Sequence, residues 1–404
     1  MKKFTITPPT PPLKEGTKGY FLSQVHQPFF VFGIVWAVVS MVVFGVAYKG
    51  VLPLHVSPSH FHTYSLIFIV FSHFFHGFLL TVFSKFCAGE AVKKEFYIPI
   101  FYMYQVGSFF VTCGVIFSIY LFLAGVVILL FAQTRVVYKL FEMHRYGKAT
   151  LKKDPFWILI ANSFGLSSHA LFVYGFLMDA NQQNVAWYEV AWSNAFWMHS
   201  IFLAFVVAQR MIPFFSHSLA QKNSMFLPLV FILFSLKTIA ISLDISFLKM
   251  SIDVILAIFL LKEILRWKLS PFSSPAILWV LHLALFWLPA GLLIGSFESY
   301  MQRSFLYLGE HLVALGFLTT VLVGFGTRVA LGHSKQAPHA DRYAVFLFVL
   351  TQVVLLSRAM YSMAIGYDLK MLWLFDASMT FWVLLFVLWG LRYAPVLING
   401  KKIS

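Results

Sequence analysis

The feature that most constrains this chain is the spacing of its charges. They occur in short clusters, separated by apolar stretches of roughly twenty residues, the length an α-helix needs to cross a bilayer. Only 11% of the 404 residues are charged and 60% are hydrophobic, where a water-soluble domain carries about a quarter charged residues. Lipid offers no partner to a backbone N–H or C=O, so spans of this composition must be helical. The expected fold is an all-α integral membrane protein, a single bundle of about twelve transmembrane helices. The spans are expected at 29–48, 61–82, 98–116, 119–138, 155–177, 187–208, 225–243, 247–265, 275–295, 306–326, 343–362 and 372–392. Residues 96–138 form one long apolar run. A single helix of about 40 residues would overshoot the membrane, which predicts a break at Ser118–Tyr120.

Lysine and arginine collect on the cytoplasmic side of membrane proteins. With the N-terminus inside, the expected inside segments hold 24 of them and the outside loops 3, while Lys237, Lys249 and Arg358 fall in spans or at their edges. Both termini are therefore expected in the cytoplasm, and the net charge of +15 reads as topology rather than as a nucleic-acid surface. Residues 1–25 are polar and proline-rich, with no closely following apolar core of the kind a cleavable signal peptide carries. They read as a cytoplasmic tail, and 26–404 as one transmembrane domain. The two cysteines, Cys87 and Cys113, do not make a disulfide framework.

Ionisable groups at membrane depth pair with one another or line a cavity. Depth along adjacent helices matches Lys237 with Asp253, and Arg358 with Asp376. Such pairs serve either as structural ties or as part of an ion or proton path. Glu310 precedes His311 near the outer face, where it would orient that ring or carry protons.

The fourteen histidines carry the chemistry. Depth sorts those in the spans into an outer layer of His60, His62, His311 and His169, and an inner layer of His76, His282, His73 and His199. His62 and His76 stand fourteen residues apart, close to four α-helical turns, which predicts one shared face. Neutral imidazole ligates iron and copper, and helix bundles build cofactor sites from facing side chains. Two histidines at one level suit axial ligation of a b-type haem, and three suit copper. The competing reading of each ring is a hydrogen-bonded packing residue. Arg210 and Arg328 each end a span at the cytoplasmic face, where a guanidinium suits haem propionates or anchors to lipid headgroups. His26 and His217 are expected at the solvated surface. The adjacent His-His pair and His-Pro-Glu segment of a haem-copper oxidase core are absent from the sequence. So are a Walker loop, a Gly-rich dinucleotide turn and a Cys-x-x-Cys-His attachment site.

Several segments resemble the NnrS family. His26-Gln-Pro-Phe-Phe30 resembles its opening Arg-Pro-Phe-Phe, with Gln27 in place of arginine. His60-Phe-His62 is similar to its His-x-His-Glu, with Thr63 where the family has glutamate. Gly77-Phe-Leu-Leu-Thr81, Arg210-Met-Ile-Pro-Phe-Phe215, Val280-Leu-His282-Leu and Thr327-Arg-Val-Ala-Leu-Gly-His333 extend the likeness over roughly 26 to 395. His311 lies where the family has a histidine upstream of the last segment.

The resemblance implies a haem- and copper-containing protein of the cell inner membrane, associated with nitric oxide metabolism and tolerance of nitrosative stress. Haem b and copper are the expected cofactors, with metal ligands drawn from His60, His62, His76, His169, His282 and His311, and Arg210 and Arg328 at the cofactor. The expected partners are the lipid bilayer and a small gaseous ligand such as nitric oxide; an electron donor or a second copy stays open. The rival readings are a secondary transporter of a metal ion, haem or small anion, a quinone-linked b-type cytochrome, and a cofactor-delivery factor.

Overall fold

A computed structural model describes residues 19–182, 187–270, 273–333 and 336–402. Most of the expected cytoplasmic tail, residues 1–18, lies outside them. The described residues are helical with short connections and contain no strand. Ten rods are long and apolar enough to cross a membrane. They are α1 (His26–Tyr48), α2 (Pro58–Cys87), α3 (Lys94–Phe117), α4 (Ile119–Tyr146), α5 (Lys153–Ala180), α6 (Tyr188–Phe215), α9 (Ala276–Met301), α10 (Leu308–His333), α11 (Arg342–Gly366) and α12 (Trp373–Asn399). Between α6 and α9 lie α7 (Phe226–Ser242) and α8 (Ser246–Arg266). The first of these is apolar but only 17 residues long, and α8 carries Lys249, Asp253, Lys262, Glu263 and Arg266 along its 21 residues.

The break expected in the long apolar run falls at Ser118, whose extended backbone (φ −163°, ψ 119°) separates α3 from α4. Its hydroxyl accepts from the Leu121 N–H at the start of α4, a serine N-cap of the usual kind. The two helices then run back along each other as a tight hairpin. Gly107 and Gly125 permit this approach, since a Cβ on either would fall within 3 Å of the opposite helix.

Chain order gives the bundle its plan. α2, α6 and α10 are the most enclosed spans, and the other rods surround them, with α12 returning to pack against α1. Each of the three central rods contains a widened, π-helical turn: Ser65–Phe71, Asn194–Ile201 and Leu312–Thr319. At the far end of each widened turn a hydroxyl bonds the carbonyl five residues back, Ser72 to Ile67, Ser200 to Ala195, and Thr319 to Ala314, at 2.8–2.9 Å. π-turns are rare and concentrate at functional sites. The three occur four helices apart in sequence, one in each of the central rods α2, α6 and α10.

A widened turn adds close to one residue without advancing the α-helical register, so everything beyond it is rotated by roughly 100°. This corrects the expectation that His62 and His76 share a face. His62 stacks on Phe44 of α1 with ring centroids 4.0 Å apart, whereas His76 sits against Tyr104 of α3 at 5.0 Å.

One expected ion pair forms and one does not. Lys237 Nζ on α7 lies 2.5 Å from Asp253 Oδ1 on α8, both fully buried. Asp376 instead pairs with Lys49, which ends α1 beside the start of α12. Arg358 turns the other way, towards the Leu306 carbonyl at 3.2 Å and towards Ser362 on its own helix. His26 departs from expectation too: it is buried, its ring 4.2 Å from that of His333 at the end of α10, while His217 is exposed.

Candidate functional site

At the end of the bundle where α1 finishes and α2 begins, the rods α1, α2, α6, α10, α11 and α12 enclose a cavity of about 270 Å³. Its walls are largely apolar, with Phe44, Ile67, Phe71, Phe196, Leu315 and Trp382 among them. Into this apolar space project His62 from α2, His311 from α10 and Arg358 from α11, while Glu310 borders it with its carboxylate 3.8 Å from Lys249 of α8.

Each of these side chains is placed by local structure. Pro58 opens α2 at its first turn, a position where the missing N–H costs nothing, and His62 follows one turn later. The start of α10 is set from a distance. Tyr307 adopts a left-handed conformation (φ 56°), and the Glu298 carboxylate of α9 accepts from the free N–H groups of Leu308 and Gly309 at 3.0 and 2.7 Å. A carboxylate at a helix N-terminus satisfies its orphan donors and its dipole together. His311 stands one turn further on, and its Nδ1 lies 2.8 Å from the Tyr307 carbonyl. That contact makes Nδ1 the N–H donor and leaves Nε2 with its lone pair free. Arg358 Nη2 lies 3.4 Å from the same Nδ1; a guanidinium only donates, so with Nδ1–H turned to the carbonyl this is a close approach of two donors and not a hydrogen bond. Neither ring nitrogen of His62 has a hydrogen-bond partner among the described residues.

The other histidines named from sequence lie elsewhere. His60 is turned away from the cavity and stacks on Tyr188 at 4.0 Å. His169 is fully engaged, with Tyr64 Oη 2.7 Å from Nε2 and Gln133 Oε1 2.5 Å from Nδ1. His282 is held near the opposite end by Ser216 at 2.6 Å and the Ser270 carbonyl at 3.2 Å. His73 bonds the Ile69 carbonyl and Gln105. His76 and His199 are buried among α2, α3, α5 and α6, away from the cavity. Arg210 is an ion-pair partner of Asp154 at 2.7 Å and covers the Phe86 ring at 4.5 Å. Arg328 lies over the Phe215 ring at 4.0 Å. The two arginines thus stand at the opposite end of the bundle from His62 and His311.

Among the described residues no three histidine, cysteine or carboxylate side chains come close enough to hold a metal together. What the cavity offers is two imidazoles on separate helices, each with a bare nitrogen, in apolar surroundings. Sequence reasoning missed Glu298, Tyr307 and the Tyr48–Tyr361 hydroxyl contact of 3.2 Å at the cavity edge. None of these carries a local signal, because each acts across helices.

Residues 20–401 match the profile of the NnrS protein family. The chain belongs to the NnrS family. That match covers the whole described bundle apart from its extreme ends, so the cavity, the three widened turns and the terminal arginines all lie within the NnrS region. A search of the curated proteins finds no match.

Proposed function

We propose that this NnrS protein is an inner-membrane haem- or copper-binding protein in which His62 and His311 are the metal ligands. The observation that supports it is the pair of imidazoles with unclaimed nitrogens facing one largely apolar cavity. The donor set fits the group: neutral imidazole is a ligand for haem iron and for copper. The Tyr307 carbonyl supplies His311 with the second interaction that fixes tautomer and ring direction in most metal-ligating histidines. Bound there, iron or copper would supply a site for a diatomic gas such as nitric oxide. The chain itself contributes the apolar walls that admit a small neutral molecule, and Arg358, whose fixed positive charge favours an anionic ligand group. All twelve rods cross the bilayer in this reading, with both termini cytoplasmic, as the 24-to-3 distribution of basic residues favours.

The test is an absorption spectrum and metal analysis of the purified full-length protein, with and without nitric oxide. A Soret band or stoichiometric copper, lost in His62→Ala and in His311→Ala, is the expected result. Protein purified from haem- and copper-replete cells with neither group would sink the proposal. The second reading is a secondary transporter, favoured by the buried Lys237–Asp253 pair; flux in proteoliposomes without bound cofactor would decide for it.

A further inference from the structure

Among the buried polar atoms without a hydrogen-bond partner in the described residues, seven lie on α2 to α6 around Tyr104 and the buried histidines: His76 Nδ1, Tyr104 Oη, Ser108 Oγ, Thr112 Oγ1, Gln133 Nε2, Asn162 Oδ1 and His199 Nε2. They come from five consecutive rods, α2 to α6, and ring contacts and hydrogen bonds connect the surroundings of most of them. Ser108 and Thr112 follow Tyr104 along α3 by one and two turns, and the Tyr104 ring is 5.0 Å from His76. His199 Nδ1 is 3.1 Å from the Ala161 carbonyl, next to Asn162. Its ring packs over Gly165, where a Cβ would meet it at 2.5 Å. One turn beyond Gly165 stands His169, which holds Gln133.

A buried polar group left without a partner costs about 1–3 kcal/mol, and surrounding lipid offers no relief. Seven such costs together would rival the whole net stability of a domain, roughly 5–15 kcal/mol. Something must therefore meet these groups. Its chemistry follows from theirs: hydroxyls, amides and neutral imidazoles both donate and accept, and no carboxylate, lysine or arginine stands among them. A mobile ion of either sign finds no counter-charge there. Water supplies donors and acceptors in equal number, and buried waters make about three hydrogen bonds each.

We propose that α2–α6 enclose a water-holding chamber, separate from the cavity that contains His62 and His311, which keeps exchangeable protons in the middle of the membrane. The inference stands whether or not the cavity binds a metal. Where the outer cavity is walled mainly by rings and aliphatic side chains, this chamber is lined by groups that a water cluster would connect, with Tyr104 between the α3 hydroxyls and His76.

The test uses the full-length protein in detergent. Ser108→Ala removes one hydroxyl with little change of shape. If water bonds that hydroxyl, its removal lowers the midpoint of thermal unfolding; if the site is dry, removal of an unpaired group raises it. Infrared spectra after transfer from H2O to D2O should show a band of buried water in the parent protein, weakened by Asn162→Leu. A raised midpoint in both Ser108→Ala and Thr112→Val, with no exchangeable water band, overturns the proposal. So does bound metal that is lost in His76→Leu or His199→Leu but kept in His62→Ala, since a metal ion would then be the occupant.

Discussion

Lys237 and Asp253 form a buried salt bridge of 2.5 Å between adjacent helices, and the Trp197 ring of α6 covers the ammonium at 4.2 Å. Removing one member of a buried pair strands the other charge, at a cost of about 3–5 kcal/mol, while replacing both by apolar residues of similar volume is often neutral. Lys237→Met and Asp253→Leu should each lower the yield and thermal midpoint of the purified protein sharply, and the double variant should recover most of both. If the double variant folds but abolishes function, the pair serves a path through the membrane rather than the fold.

The two free imidazoles of the cavity predict a specific pattern of loss. His62→Ala and His311→Ala should each reduce bound haem or copper at least tenfold; Glu298→Ala should reduce it less than tenfold but measurably, because that carboxylate fixes the start of α10 and hence the direction of His311. His60→Ala should leave the metal content within twofold of the parent, since its ring lies against Tyr188. Metal analysis of the four variants checks this, and equal loss from His60→Ala would contradict the geometry.

At the opposite end, Asp154 accepts from Arg210 at 2.7 Å and from Lys222 at 2.5 Å while only 3% of its side chain is exposed. Charge-assisted bonds of this kind contribute about 1.5–3 kcal/mol each, less where the cation is half exposed. Asp154→Asn should therefore cost more stability than Lys222→Ala, whose side chain is 55% exposed. Thermal unfolding at low and high salt measures both, and the Lys222 contribution alone should fade with salt.

The proposed orientation, with both termini cytoplasmic, gives a fourth prediction. In a background of Cys87→Ala and Cys113→Ser, Val51→Cys should react with an impermeant maleimide in intact cells. Glu90→Cys should react only after the membrane is opened. Both positions are exposed. Reaction of the two in the reverse order would invert the topology.

Much of the fold was legible because lipid enforces it. Span length, the break at Ser118 and the match of Lys237 with Asp253 all follow from helix rise and the cost of charge at depth. What failed was azimuth. Asp376 was assigned to Arg358 by depth, but depth does not say which way a side chain points, and Lys49 lay nearer. The His62–His76 pairing assumed an unbroken α-register, and no residue pattern announces the widened turn between them. Depth places His169 among the candidate ligands, but Gln133, 36 residues away and on another helix, engages its ring. Of the six candidate ligands, His62 and His311 alone line the cavity, and depth does not separate His62 from His60, two positions away.

The widened turns of α2, α6 and α10 act as swivels. Below each one, a rod can keep its interlocked neighbours; above it, the same rod is free to aim its side chains by a different rule. The lower bundle can therefore be rigid masonry while the upper ends are retuned residue by residue for whatever molecule enters, without disturbing the courses beneath.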